Sequence, residues 1–339
     1  MTENSLHETD VQLHQLFDRA ARSRSDAIAL VYEDRRISFF ELQLYVEWMS
    51  GYFQSIHLQP GQRVALLMAN SPKLVISFFG LWRAGGVAVP LEISKDESEL
   101  RSKLALSRAS AVVTTPEYKT LLDQALAENG ATLAHLTVAI FEEDNIVTLN
   151  KTTRGRRASA EPGKIVRIED RAPASPANGR MHLDGSDAAA RLAAIQFEAD
   201  LQYRRRTHDE LARAAEAMTA RMQLTANDCM VCLAPLSQPS CLSNCLIAAI
   251  AAGATLVLVE SNDWENLGQV FVDERVSVVA GPAALLMRLA KNNAAAISSL
   301  RWYFYTDAIL SPEIGERLPQ PAGLQIEQLT DTITTGIPN

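Results

Sequence analysis

Hydrophobic positions along this 339-residue chain follow two rhythms in alternation, one helical and one of short buried strands. Leu13, Leu16, Phe17 and Ala20 recur at helical spacing. Ala27–Tyr32 reads as a strand, Asp34-Arg35 as a turn and Ile37–Phe39 as a second strand. Ser38 with Glu41 three positions on has the form of a capping box, which starts a helix. The run Gly61–Met68 is a buried strand; Ser71-Pro72 then opens a helix to Arg83, which Gly85-Gly86 ends. Val87–Leu91 is a strand, Glu97–Ser107 a helix and Ala111–Thr114 a strand. The same βα rhythm returns later. Met230–Leu236, Thr255–Val259, Val276–Ala280, Trp302–Tyr305 and Leu324–Gln328 are strands; Cys241–Ala252, Trp264–Glu274 and Ala283–Lys291 are helices. Such alternation predicts mainly parallel sheet covered on both faces.

Residues 151–190 break the rhythm with a polar stretch rich in Pro, Gly, Ala and Arg, and read as a loose connector. The expected division is therefore a first α/β subdomain over 1–150, the connector 151–190, and a second α/β subdomain over 191–339. The length, beyond the usual size of a single core, agrees with two subdomains.

Composition narrows the function without naming it. Apolar residues make up 47% and charged residues 21%, ordinary globular stock. A net charge of −8 argues against nucleic acid or an anionic membrane as partner, since both need concentrated Lys and Arg. No apolar run is long enough for a membrane span. The start, MTENSLHETD, is too polar for a signal peptide, and four Cys are too few for a disulfide scaffold. A cytoplasmic, reduced protein is expected.

The segment Gly61–Leu91, with Asn70-Ser71 and the helix end Arg83-Ala84-Gly85-Gly86, resembles the early core of the adenylate-forming superfamily. That family includes acyl-CoA synthetases, luciferases and peptide-synthetase adenylation domains. Ser38-Phe39-Phe40-Glu41-Leu42 upstream matches the family pattern, as do Thr207-His208 with Leu211, Ala251–Thr255 and Gly281-Pro282-Ala283 downstream. The resemblance implies the N-terminal lobe of such an enzyme, two stacked αβαβα-type subdomains. It also implies a carboxylate-activating chemistry that uses ATP and Mg²⁺.

The loops that carry this chemistry depart from the pattern one after another. In the family, a Gly-, Ser/Thr- and Lys-rich loop curls its backbone N–H groups around phosphate. Here the flanks Ala193–Phe197 and Thr207-His208 survive, but between them stands Glu198-Ala199-Asp200-Leu201-Gln202-Tyr203-Arg204-Arg205-Arg206. The interval from Gln196 to His208 is shorter than the family's, and Glu198 and Asp200 set carboxylates where polyphosphate would lie. Alternation around Ala199-Asp200 predicts a tight hairpin instead. Arg204, Arg205 and Arg206 form a poor substitute anion site, because three successive strand residues cannot face one ligand.

The family's Pro-Leu-aromatic-His reads Pro235-Leu236-Ser237-Gln238 here, and its Ser-Gly-Gly turn reads Thr306-Asp307-Ala308. Its Tyr-Gly-x-Thr-Glu reads Leu329-Thr330-Asp331-Thr332-Ile333, where Ile333 offers no oxygen to Mg²⁺. By the resemblance, Gln238, Asn244, Asp307, Ala308, Leu329 and Thr332 line the relic substrate pocket. The chain reaches Asn339 before the family's ribose-binding Asp, the Arg after it and the mobile C-terminal domain.

Cys229-x-x-Cys232 and Cys241-x-x-x-Cys245 invite a zinc reading. However, residues three apart on a strand face opposite sides, and a buried Cys pair on an apolar helix packs as hydrophobe. No metal site is expected. Neither ATP nor Mg²⁺ is expected to bind, and no catalytic residue is assigned. The resulting expectation is a pseudoenzyme that binds, scaffolds or regulates another protein, an active adenylating homologue being the first candidate. The alternatives are a sensor or carrier that holds an acyl or carboxylate molecule in the relic pocket, and one subunit of a split acyl-activating ligase.

Overall fold

The computed structural model describes residues 11–94, 96–127, 136–142, 145–150, 191–198, 201–259, 267–292, 297–306 and 323–330. The connector 151–190 lies outside them, as do Ala199, Asp200, Asp307, Ala308 and Thr332.

Chain order runs α1 (Leu13–Ser23), β1 (Ile28–Tyr32), β2 (Arg35–Ser38), α2 (Phe39–Ser55), β3 (Arg63–Leu67), α3 (Pro72–Arg83), β4 (Val87–Pro90), α4 (Glu97–Ser107) and β5 (Ala111–Thr114). Next come α5 (Pro116–Ala127), β6 (Thr137–Glu142), β7 (Asn145–Asn150), β8 (Leu192–Phe197), β9 (Tyr203–Thr207), α6 (His208–Met222) and β10 (Cys229–Cys232). A short α7 (Pro239–Cys241) leads through a π-helical turn, Leu242–Ile247, into α8 (Ala248–Ala252). The remainder is β11 (Thr255–Leu258), α9 (Leu267–Asp273), β12 (Val278–Gly281), α10 (Ala283–Asn292), β13 (Trp302–Tyr305) and β14 (Gln325–Gln328).

Among the described residues, the strands form two seven-stranded sheets, ordered β14-β13-β12-β10-β11-β1-β2 and β7-β6-β5-β3-β4-β8-β9. Interior pairings such as β3 with β4 and β10 with β11 are parallel, and the strands are buried on both faces, as their unbroken apolar runs require. One face of each sheet packs on a shared layer of α1, α2, α3, α6 and α8. The outer faces carry α4 and α5 on one side and α9 and α10 on the other. This is the expected αβαβα stack.

The sheets do not coincide with the sequence blocks 1–150 and 191–339. β1 and β2 join the sheet of β10–β14, with Leu30 opposite Leu256; β8 joins β4, with Ala88 opposite Ala194. Each block donates a hairpin to the other's sheet. Chain order gave no sign of this, because pairing is decided by apolar edges that meet only in three dimensions.

Local signals explain the element ends. Ser38 accepts from the Glu41 N–H while Glu41 accepts from the Ser38 N–H, so helix α2 begins at Phe39 and the preceding strand stops at Ser38. The turn before β2 falls on Glu33-Asp34, with Glu33 left-handed at φ 51°, one residue earlier than expected. Gly80 lets α3 cross α2 closely: a Cβ there would stand 2.7 Å from the Met49 Cβ. Among the described residues, no helix is long and apolar enough to cross a membrane.

A buried polar knot ties the second sheet's start. The Asp228 carboxylate accepts from the Thr225 N–H at 2.7 Å, the Ser277 hydroxyl at 2.7 Å and the Arg301 guanidinium at 2.6 Å. Burial acts to raise its pKa, but these donors outweigh it and hold the carboxyl below the ordinary range. Asp228→Asn keeps the volume and loses the charge-assisted bonds, so urea denaturation is expected to show a loss of about 2 kcal/mol.

Candidate functional site

Where the family carries its phosphate loop, this chain has a β-hairpin. Strand β8 runs antiparallel to β9 with Ile195 opposite Arg205, Gln196 opposite Arg204 and Phe197 opposite Tyr203. Glu198 N–H donates to the Gln202 carbonyl at 2.7 Å, and Leu201 adopts a left-handed φ of 60°. The expected hairpin is present in the paired strands, while Ala199 and Asp200, around which it was expected to turn, lie outside the described residues. Backbone amides that would face a phosphate are instead used across a ladder.

The side chains have structural employment as well. Arg204 Nε lies 2.5 Å from Glu198 Oε1, closing the hairpin with an ion pair. Arg205 is exposed on one face, whereas Arg206 is buried on the other, which is the alternation that denies the three arginines a common ligand. Thr207 caps α6: its hydroxyl accepts from the Glu210 N–H at 3.1 Å and its own N–H donates to Glu210 at 2.8 Å. The next residue, His208, is buried and accepts the Leu13 N–H on Nδ1 at 3.3 Å. It thus fastens the first turn of α1 to the first turn of α6.

Of the expected pocket residues, Gln238 is half-buried and its carbonyl accepts from the Cys241 and Leu242 N–H groups. Asn244 is buried in the π-helical turn. Its amide donates to the Thr330 carbonyl at 3.2 Å and its oxygen accepts from Ser243 at 3.1 Å. Leu329 packs into the central core, and its N–H donates to the Tyr305 carbonyl at 2.8 Å. Asn244 and the Leu329-Thr330 pair thus meet, through a bond that holds the strand end rather than one that presents a ligand group. A cavity of about 410 Å³ opens elsewhere, between Tyr32, Tyr45, Trp48, Ser71, Lys73 and Phe141.

Two features escaped the sequence reading. Asn70, seen there only as part of a motif, donates to the Ala234 carbonyl at 2.9 Å and accepts from the Leu236 N–H at 2.8 Å. It clamps the Pro235-Leu236 loop of one sheet to the end of β3 in the other. The second is sulfur. Cys229 faces the outer core, where burial pushes its thiol up to about 12. Cys232 faces the central layer and joins Cys241 and Cys245, all three sulfurs within 4.8 Å of one another. Cys229 and Cys232 lie on opposite faces of β10, as strand periodicity requires, and the meeting of Cys232 with the helix pair is a tertiary contact that spacing within either pair does not carry.

The same layering appears in solved CoA ligases. A benzoate CoA ligase from Burkholderia xenovorans superposes with a TM-score of 0.73 at 20% identity, over 94% of this chain and 60% of that one. The class is thus the N-terminal lobe fold of adenylate-forming enzymes. Residues 17–182 and 206–334 match the AMP-binding enzyme family, and the chain belongs to it. Curated relatives include a crotonobetaine/carnitine–CoA ligase of Citrobacter koseri, 24% identical over 253 residues, 73% of this chain and 46% of that protein. Another is the N-(5-amino-5-carboxypentanoyl)-L-cysteinyl-D-valine synthase of Penicillium rubens, 28% identical over 107 residues, 32% of this chain and 3% of that protein. The chain spans about half the length of the first and a small part of the second. The family match is interrupted over 183–205, the stretch that holds β8 and the hairpin turn.

Proposed function

We propose that this chain is a non-catalytic member of its family, a lobe that keeps the shape of an adenylating enzyme and acts as a binding or regulatory partner of another protein in an acyl-activating pathway. The observation that supports this most is the hairpin at Phe197–Tyr203, closed by the Glu198–Arg204 ion pair. A triphosphate needs a loop of free amides with a cation beside it, and here a strand ladder takes up the backbone while the Glu198 carboxylate takes up Arg204. An adenylating homologue is the partner that a retained lobe of this shape fits best.

Calorimetry with Mg·ATP tests the nucleotide half of the proposal, and it reads binding to this lobe alone. No saturable heat is expected up to millimolar nucleotide. A Kd tighter than about 1 mM, or ~4 kcal/mol, would overturn the reading in favour of a split ligase. Native mass spectrometry of the chain isolated from its source cell tests the partner half. A defined heteromer is expected; a lone chain carrying an acyl or carboxylate molecule would replace the partner reading with a ligand sensor.

A further inference from the structure

Three of the chain's four cysteines converge on one point of the central core. Cys232 ends β10 and turns inward, while Cys241 and Cys245 lie one turn apart on the segment packed over it. All three are buried, and their Sγ atoms lie within 4.8 Å of one another. Filling space with a small apolar side chain requires volume only, not sulfur facing sulfur. The helix that carries two of them also leaves α geometry there: Leu242–Ile247 is π-helical, a rare form concentrated at functional sites. We propose that Cys232, Cys241 and Cys245 form a thiolate site for a soft monovalent cation, Cu(I).

The donor set selects the ion. Thiolates favour soft metals, whereas Mg²⁺ and Ca²⁺ require oxygen. Closed Zn²⁺ sites take four ligands, and among the described residues no His or carboxylate joins the three sulfurs. Cu(I) is satisfied by sulfur alone at low coordination. Charge also favours it: two thiolates and one retained thiol around Cu⁺ leave a single net negative charge in the core. Binding of the ion releases thiol protons to solvent. Ser240, half-buried, sets its hydroxyl 4.0 Å from the Cys241 sulfur.

The test is an anaerobic titration of the reduced full chain with Cu(I) against a chromophoric Cu(I) chelator, followed by X-ray absorption at the copper edge. One ion per chain in a sulfur-only shell is expected. Cys241→Ser and Cys245→Ser should each weaken binding by at least about tenfold. Cys229→Ala, on the opposite face of the sheet, should leave it unchanged. Thermal unfolding of each metal-free variant separates loss of a ligand from loss of fold. No Cu(I) uptake by the unaltered chain overturns the proposal without reference to any variant. So does uptake insensitive to the loss of Cys241 in a folded variant, or nitrogen and oxygen in the metal shell.

Discussion

Acidification from pH 7 to pH 5 is expected to remove about 4 kcal/mol of the lobe's stability, through the half-buried His14 and the buried His208. Burial lowers the pKa of His14 to about 4, with Asp18 opposing the shift and Arg83 adding to it. Burial, then the neighbouring His14, lowers that of His208 to about 3. The His14 Nδ1 is buried without a hydrogen-bond partner, and the His208 Nδ1 is occupied as acceptor of the Leu13 N–H. A proton has no good place on either ring in the folded state. Unfolded, each ring titrates near 6.5, so the unfolded chain binds more protons as pH drops below that value. Stability is complete above about pH 6.5. It is lost as pH falls toward the folded values, by roughly 2 kcal/mol per histidine at pH 5. The depressed carboxyl Asp228 acts on the same side of the scale but lower, below an ordinary carboxyl range near 4. Urea denaturation at pH 7 and pH 5 reads the difference directly. A His14→Gln, His208→Asn double variant should flatten the dependence across this window. An unchanged slope in that variant would assign the acid lability to other groups.

Trp82→Ala should cost about 3–5 kcal/mol, among the largest penalties any single truncation in this core can impose. The ring is fully buried, and its Nε1–H donates to the Ala193 carbonyl at 3.0 Å, joining α3 to β8. Phe78 and Phe79 lie 5.3 Å away by ring centroid, Phe79 edge-on, and His208 lies at 6.2 Å. Removing the indole leaves a cavity where the central layer meets both the hairpin strand and the α6 cap, and it orphans a carbonyl. Trp82→Phe should recover most of the packing but not the hydrogen bond. A denaturation midpoint for Trp82→Ala within error of the unaltered chain would contradict this placement.

Where the cause of structure is local, the sequence was a sufficient guide. The Ser38–Glu41 capping box, the Ser71-Pro72 helix start, the strand Ala111–Thr114 and the helix Glu97–Ser107 all follow from neighbours within a turn or a pleat. The hairpin replacing the phosphate loop was legible for the same reason, since β8 and β9 are adjacent in the chain. What stayed hidden depends on distant partners. Asn70 acts on residues around Ala234, His208 on Leu13, and Cys232 on a helix that no spacing rule connects to it. The π-helical turn at Leu242–Ile247 was likewise read as ordinary helix, because an apolar run carries no mark of one extra residue per turn.

The exchange of hairpins between the sheets sets the order in which the molecule can come into being. A ribosome delivers β1 and β2 long before β11, yet Leu30 must wait for Leu256 to gain its neighbour. Before β8 is made the nascent chain holds β4 without that neighbour, and before β10 and β11 follow it holds β1 and β2 without the body of their sheet. Long sequence separation slows such pairing, and unpaired strand edges invite the wrong partner meanwhile. Neither half can therefore reach its final form as an autonomous folding unit; synthesis must run past Thr207 before β4 and β8 share a finished sheet, and past Gln328 before the sheet that holds β1 and β2 is closed.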